Sequence, residues 1–369
     1  MKIEEIAQEF KLEGKIINIK ENKTGNINKT YLIITDKKKY ILQKINTLVF
    51  NEPYLLMQNI ENVTNYYKKY LKKNGGDTER ETLSVIKTKE GINLYRNEDE
   101  YYRMYNYVDN AITYDKSESE EMFYNVGKAL GHFVKVLNNY PMESLNETIP
   151  NFHNSKVRFK NFLKDIKKDP CNRVKNVCPE IVYIIQREDE LKSIVDLLEK
   201  GEIPLRVTHN DTKINNVLID SKTNKAICVI DLDTVMPGSA LYDFGDAIRS
   251  GASTTFEDDQ NLNNVGINIE YFRSFTTAYL SETRDILKKE EIDNLVLSCK
   301  VITLELAMRF LNDYINGDTY FKCNYENHNL VRCRNQLKLV SEIEKNYDQM
   351  LKIVKEETKV KTLNKIDKH

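Results

Sequence analysis

One short stretch, Val207-Thr208-His209-Asn210-Asp211-Thr212-Lys213-Ile214-Asn215-Asn216-Val217, sets an aspartate two residues after a histidine and five before an asparagine. A little further on, Val229-Ile230-Asp231-Leu232-Asp233 places two more carboxylates at the end of an apolar run. Asp211 is of the right type to orient and deprotonate a hydroxyl. Asn216 and Asp231 offer the oxygen atoms that a hard divalent cation prefers. Phosphoryl transfer asks little covalent work of a protein: a carboxylate must hold the attacking hydroxyl, and metal ligands must help neutralise phosphate charge. Each residue alone is an ordinary turn or strand terminus, so the reading rests on the three together. His209 is expected to serve architecture, hydrogen-bonding the backbone or side chain of Asp231, in preference to acting as a base.

The elements that must position this set fall into two contrasting stretches. Residues 1–108 begin with a short helix and continue with alternating segments at 14–19, 29–35, 39–44, 83–88 and 100–108, which predicts an antiparallel sheet. A helix interrupts it at 52–73, where Leu55, Leu56, Asn59, Ile60, Val63, Tyr66 and Tyr67 recur at helical spacing, and Asn74-Gly75-Gly76-Asp77 ends it. Residues 109–369 read as helices at 119–138, 157–167, 179–199, 270–281, 290–314 and 327–355. One hairpin breaks that pattern, with strands at 216–220 and 226–231 around the polar turn Ser221-Lys222-Thr223-Asn224. The expected class is α+β in two lobes, and Asp211, Asn216 and Asp231 flank the hairpin.

Bulk properties narrow the partners. With 369 residues the chain suits two lobes, and 55 Lys+Arg against 56 Asp+Glu leave a net charge of −1. No long-range field favours nucleic acid or an anionic membrane, so small molecules are the expected partners. Mean hydropathy is −0.57, and no apolar run approaches the ~20 residues of a spanning helix. The opening residues alternate charged and apolar types, without the apolar core of a signal peptide, which points to a cytoplasmic protein. Six scattered cysteines show no C-x-x-C pair and are read as free thiols.

Residues 209–216 have the H-x-D-x-x-x-x-N form of a kinase catalytic loop. With 229–233 and Tyr242-Asp243-Phe244-Gly245-Asp246, they resemble the aminoglycoside phosphotransferase and choline kinase superfamily, relatives of the protein kinases. Longer strings look closest to the bacterial N-acetylhexosamine 1-kinases: Tyr40-Ile41-Leu42-Gln43-Lys44-Ile45-Asn46, Thr148-Ile149-Pro150-Asn151-Phe152-His153, and residues 229–253 and 305–336. The resemblance implies a protein-kinase-like two-lobed fold, with a small antiparallel β-sheet N-lobe and a mainly α-helical C-lobe. It implies a nucleotide-binding lobe at 1–108 and a catalytic and acceptor-binding lobe at 109–369. It makes Asp211 the catalytic base, Asn216 and Asp231 the Mg²⁺ ligands, Asp233 a contact to a second metal, and Asp243 an anchor of the catalytic loop. Asp243 also reads as a helix N-cap before residues 244–249, and that structural role is the one adopted.

On the nucleotide side, Thr24-Gly25-Asn26-Ile27-Asn28-Lys29-Thr30-Tyr31 lies between two strands, with Gly25, Asn26 and Asn28 as candidate phosphate contacts. No G-x-x-x-x-G-K-[ST] run is present, which argues against a P-loop. The strand at 39–45 should supply a lysine, yet Gln43 stands where a basic residue is usual in the resembling family and Lys44 follows it. Adjacent strand residues face opposite ways, so the two cannot exchange roles without a bulge or register shift. Lys44 is taken as the phosphate contact and Glu61 as its helix partner. Tyr105 and Tyr107 mark the hinge that would receive adenine.

On the acceptor side, a chain with no Trp and 22 Tyr must build any sugar platform from Tyr, Phe or His. The resemblance points to Arg309 and Tyr320, with His153 and Asn210 as further polar contacts. Arg332 and Arg334 are read as structural, with help in holding the acceptor as the alternative. The expected reaction moves the γ-phosphoryl of ATP, with Mg²⁺, to the anomeric hydroxyl of N-acetylglucosamine or N-acetylgalactosamine. The expected state is a monomer or weak dimer. Open alternatives are a kinase for choline, homoserine, another sugar or an aminoglycoside, and a nucleotide-binding pseudokinase.

Overall fold

A computed structural model describes residues 2–22 and 27–366. The chain divides into two compact units, one formed by Met1–Ile112, Asn139–Pro150 and Val217–Met236, the other by Thr113–Asn138, Asn151–Asn216 and Pro237–His369. The fold class is α+β, as the alternation followed by helical periodicity predicts.

In the first unit a short helix α1 (Ile3–Gln8) leads into strands β1 (Ile16–Asn22), β2 (Lys29–Thr35) and β3 (Lys39–Lys44), then helix α2 (Pro53–Asn74) and strands β4 (Val85–Ile86), β5 (Tyr95–Asn97), β6 (Glu100–Asn106) and β7 (Ala111–Ile112). The main sheet runs β1-β2-β3-β6-β4, with β5 also on β6. Its pairs are antiparallel. Alternation assigns the faces. Tyr40 and Leu42 of β3 and Tyr102 and Met104 of β6 pack with Ile33 and with Ile6, Ala7 and Phe10. Gln43 and Arg103, cross-strand partners in the β3–β6 register, belong to the opposite face. Helix α2 starts on Pro53 and stops where Gly75 takes a left-handed conformation at φ 74°, which glycine adopts without a Cβ penalty. Strands β8 (Val217–Asp220) and β9 (Ala226–Val229) form the expected hairpin, and β7 adds to β8 to complete a three-stranded sheet.

The second unit is helical: α3 (Glu120–Leu137), α4 (Ser155–Lys168), α5 (Cys178–Ile185), α6 (Glu188–Glu199), α7 (Ala240–Gly251), α8 (Ile269–Thr283), α9 (Lys289–Asp293), α10 (Leu295–Ile315), α11 (His328–Lys345) and α12 (Tyr347–Ile366). Three stretches expected as single helices are each divided. At two of the breaks, Asn294 and Asn346 turn their side-chain amides onto the carbonyls of Glu290 and Glu342, each at 2.8 Å. Such local side-chain bonds end a helix while the apolar spacing continues through it. Phe159, Phe162, Ile184, Leu191, Leu304, Phe310, Leu311, Leu337 and Val340 share one core. Helices α7 and α10 approach so closely that a methyl group on Gly245 would lie 2.5 Å from the Ser298 carbonyl oxygen. Among the described residues, no helix is long and apolar enough to cross a membrane.

Candidate active site

The loop before β8 owes its shape to α7. Ser239 caps that helix, its side chain accepting from the Leu241 N–H, so Asp243 is not the N-cap expected from its position. It sits in the first turn and faces back to the loop. Its carboxylate accepts the backbone N–H of His209 at 2.9 Å and of Asn210 at 2.7 Å, and its carbonyl accepts the Thr212 hydroxyl at 2.5 Å. The anchoring role suggested by resemblance is therefore the one its hydrogen bonds describe. Burial pushes the Asp243 carboxyl up to about 6, against the pull of His209 and the two donated N–H groups. Asn210 adopts φ 64°, a left-handed turn that asparagine tolerates.

That turn presents Asp211. Its N–H donates to Nδ1 of the fully buried His209 at 3.3 Å. Asn216 reaches back with Nδ2, donating to the Asp211 carbonyl at 2.7 Å and to its Oδ2 at 3.2 Å. Lys213 Nζ stands 3.0 Å from Oδ1. Burial alone would raise the Asp211 carboxyl; Lys213 and then His209 outweigh it and hold the group below the usual carboxylate range. Asp211 in turn raises Lys213 above the ordinary lysine range. Lys213 escaped the sequence reading although it lies inside the motif. Its position two residues after the aspartate was the available signal.

In the first unit the residues after β9 form a short 3₁₀ turn, Leu232–Thr234, preceded by Asp231 in a left-handed conformation at φ 60°. A non-glycine residue held there marks a conformation fixed by its surroundings. The turn is pinned from several elements. Arg103 of β6 forms a two-pronged ion pair with the Asp233 carboxylate, its Nη2 at 2.9 Å from Oδ2 and its Nη1 on Oδ1. Asn28 donates to the same Oδ2 at 2.7 Å, and Thr148 donates to the Asp233 carbonyl at 3.0 Å. Asn59 of α2 donates to the Val235 carbonyl at 3.0 Å.

Other expected nucleotide contacts are placed as follows. Gly25 and Asn26 lie outside the described residues. Asn28 accepts the Asn46 N–H at 2.9 Å while holding Asp233. Lys44 pairs with Glu100 on the sheet face opposite to Gln43 and Arg103. Glu61, proposed as its partner, instead takes Lys87 and Asn93. Tyr105 is buried in β6 with register partners on both β3 and β4, its ring 5.3 Å from the Arg103 guanidinium. Tyr107 donates its N–H to the Lys39 carbonyl at 3.2 Å. Arg103 was missed in the sequence. A lone arginine in Tyr101-Tyr102-Arg103-Met104-Tyr105 was the sign, since only a buried partner makes that position tolerable.

The acceptor-side candidates meet in the second unit. His153 directs Nδ1 to Glu305 at 2.9 Å and Nε2 to the Asn210 carbonyl at 3.0 Å, so it braces the Asp211 loop. Its ring stacks on Tyr242 with centroids 4.7 Å apart. Glu305 is fully buried, yet His153 and Arg158 hold its carboxyl below the usual range against the upward push of burial. Arg309, one turn along α10, lies over three rings: Phe152 at 5.4 Å, Tyr320 at 5.9 Å and Phe321 at 5.4 Å. Asp313 bends the chain after α10 to make this possible, accepting the N–H groups of Thr319, Tyr320 and Phe321, each at 2.9 Å. Arg334 pairs with Glu180, and Arg332 donates to the Lys322 carbonyl, both structural contacts.

Comparison with known proteins places these features in context. The family described as Phosphotransferase enzyme family matches the chain over residues 18–273. A microcompartment-associated aminopropanol kinase shares the fold at TM-score 0.62 and 16% identity, covering 94% of this chain and 97% of the other. A choline kinase from Cryptosporidium parvum does so at 0.57 and 14%, covering 95% and 96%. A spectinomycin phosphotransferase, solved with ADP and spectinomycin, does so at 0.55 and 13%, covering 95% and 96%. At such identities the likeness is one of fold.

Proposed function

The chain belongs to the phosphotransferase enzyme family, and we propose that it transfers the γ-phosphoryl of ATP to the anomeric hydroxyl of an N-acetylhexosamine. The observation that carries the phosphoryl-transfer reading is the loop in which Asp211 is held by Asp243 through its neighbours' N–H groups and by Asn216 through its own carbonyl and carboxylate. Asp211 accepts the proton of the acceptor hydroxyl as that oxygen bonds to the γ-phosphorus and the bond to the bridging oxygen of ADP breaks. Lys213 keeps the carboxylate ionised between turnovers and offers a cation to the charge that builds on the transferring group.

The oxygen chemistry fits Mg²⁺. Asn216 spends its Nδ2 on Asp211, which leaves its Oδ1 for a hard cation, and Asp231 offers a carboxylate from a pinned turn. By the resemblance of their motifs, Asn216 and Asp231 are each of the type that would bind such an ion, whose chemistry is to neutralise phosphate charge. Asp233 supports that turn, both oxygens being taken by Arg103 and Asn28. In this reading the sheet-bearing residues 1–108 serve the nucleotide and residues 109–369 serve catalysis and the acceptor.

The acceptor assignment draws on Arg309. Aromatic faces recognise quaternary ammonium groups, but here the protein's own guanidinium lies over Phe152, Tyr320 and Phe321. Arg158 adds a second guanidinium beside the Glu305 carboxylate. Such a cluster repels a cationic acceptor. It suits a neutral sugar whose amide carbonyl accepts from Arg309 and whose apolar face meets Tyr320. An acceptor panel read by ADP release tests this. N-acetylglucosamine or N-acetylgalactosamine should exceed choline, ethanolamine, an amino alcohol and spectinomycin by about 100-fold in kcat/KM. A cation preferred to both sugars would refute it.

A further inference from the structure

Arg103 is only 1% exposed and carries a charge into the buried stretch of its strand, between Tyr102 and Met104. Four side-chain hydrogen bonds run from it to two partners on one side of the sheet. Nη1 and Nη2 take the two oxygens of Asp233, while Nε and Nη2 reach Gln43 Oε1 at 3.0 and 2.9 Å. Gln43 completes the array by donating to Thr30 Oγ1 at 3.1 Å. Asp233 is held by two further donors, Asn28 on Oδ2 and Thr148 on its backbone carbonyl. A buried pair of this kind adds little stability over two apolar residues of the same size, so its presence calls for a role beyond holding the fold. What it holds is specific: two residues before Asp233 stands Asp231, left-handed at φ 60°, and its charge is felt by Arg103.

We propose that Arg103 is a positioning residue for the metal-bound nucleotide, gripping Asp233 with its planar fork so that the turn presents the Asp231 carboxylate in one orientation. The proposal rests on the phosphoryl-transfer reading above. A guanidinium suits the task because its two parallel N–H bonds fix a carboxylate plane, which a lysine ammonium cannot do. Gln43 keeps that fork from rotating, and Asn28 closes the remaining side.

The test is calorimetric titration of ADP, with and without Mg²⁺, on the full chain. Arg103→Met alone strands a buried carboxylate and invites unfolding, so the informative protein is the charge-neutral double variant R103M/D233N, accompanied by Arg103→Lys. The double variant should fold, as judged by circular dichroism, and bind metal-free ADP within about twofold of wild type, yet lose about tenfold or more of the affinity gained from Mg²⁺. Arg103→Lys should keep the charge and lose about threefold or more of that gain. An unchanged Mg²⁺ gain in the folded double variant would show the pair to be architectural only. Should the double variant fail to fold, an unchanged gain in Arg103→Lys would overturn the proposal equally. A wild type that binds no ADP in either condition would sink the phosphoryl-transfer reading together with it. Wild-type binding with an unaffected variant sinks the Arg103 assignment alone.

Discussion

Two aspartate–cation pairs, one in each compact unit, solve opposite problems. Arg103 and Asp233 are buried, joined by two parallel contacts and enclosed by Gln43, Asn28 and Thr148. Lys213 and Asp211 meet through one contact of 3.0 Å, with side chains 34% and 26% exposed. The first pair is tied on both partners into neighbouring side chains and is suited to hold a turn still. The second has a flexible ammonium on a long stem and a partly buried carboxylate, so its partners can change as a hydroxyl and a phosphate arrive. A fixed pair positions, whereas an adaptable pair can react. The comparison yields variants whose effects should differ in kind.

The largest effect on turnover should come from Asp211→Asn. Loss of the base should lower kcat by about 10³-fold or more, while Mg-ADP affinity measured by titration stays within about threefold. An equal loss of binding would place Asp211 on the architectural side of the comparison. The largest effect on stability should come from Arg103→Met, which leaves Asp233 buried and unpaired. Urea unfolding should show a loss of about 3–5 kcal/mol, most of it restored in R103M/D233N. A single variant as stable as wild type would mean that Asp233 finds water.

Next in size is Lys213→Met. Burial raises the Asp211 carboxyl, and Lys213 is the first of the groups that bring it below the usual range. A base works only when ionised, so activity is lost as pH falls through its pKa. Removing the cation raises that pKa and should move the acid limb of the kcat/KM profile to higher pH, with stability changed by less than about 1 kcal/mol. A limb that stays in place would separate Lys213 from the base. The smallest effect should come from Lys44→Met. Its partly exposed pair with Glu100 lies on the other face of the sheet, so stability should change by less than about 1 kcal/mol and Mg-ADP affinity by less than about twofold. A large loss of affinity would return Lys44 to the nucleotide.

What was legible in the sequence follows the same division. Asp211 and Asn216 lie within one local run and Asp231 just across a hairpin, so spacing alone was enough to name them as candidates. The α+β class was legible because the β2 and β3 segments alternate and the later helices repeat. The partner of Asp233 was not, since Arg103 stands far away in the chain and meets Gln43 only once β3 and β6 are in register. The same holds for Lys44, whose facing depends on that register. Asp243 was misjudged as a cap because Ser239, earlier in the chain, already supplies one. On the acceptor side, Arg309 and Tyr320 were named through resemblance, but the bend that joins them depends on Asp313 collecting three backbone N–H groups. No periodicity announces such a bend.

The most direct measurement is ³¹P NMR of the products formed from N-acetylglucosamine or N-acetylgalactosamine with Mg-ATP. A new anomeric phosphate signal, growing in step with ADP and absent for Asp211→Asn, is the predicted result. A 6-phosphate, or no acceptor-dependent product from either sugar, would contradict the account.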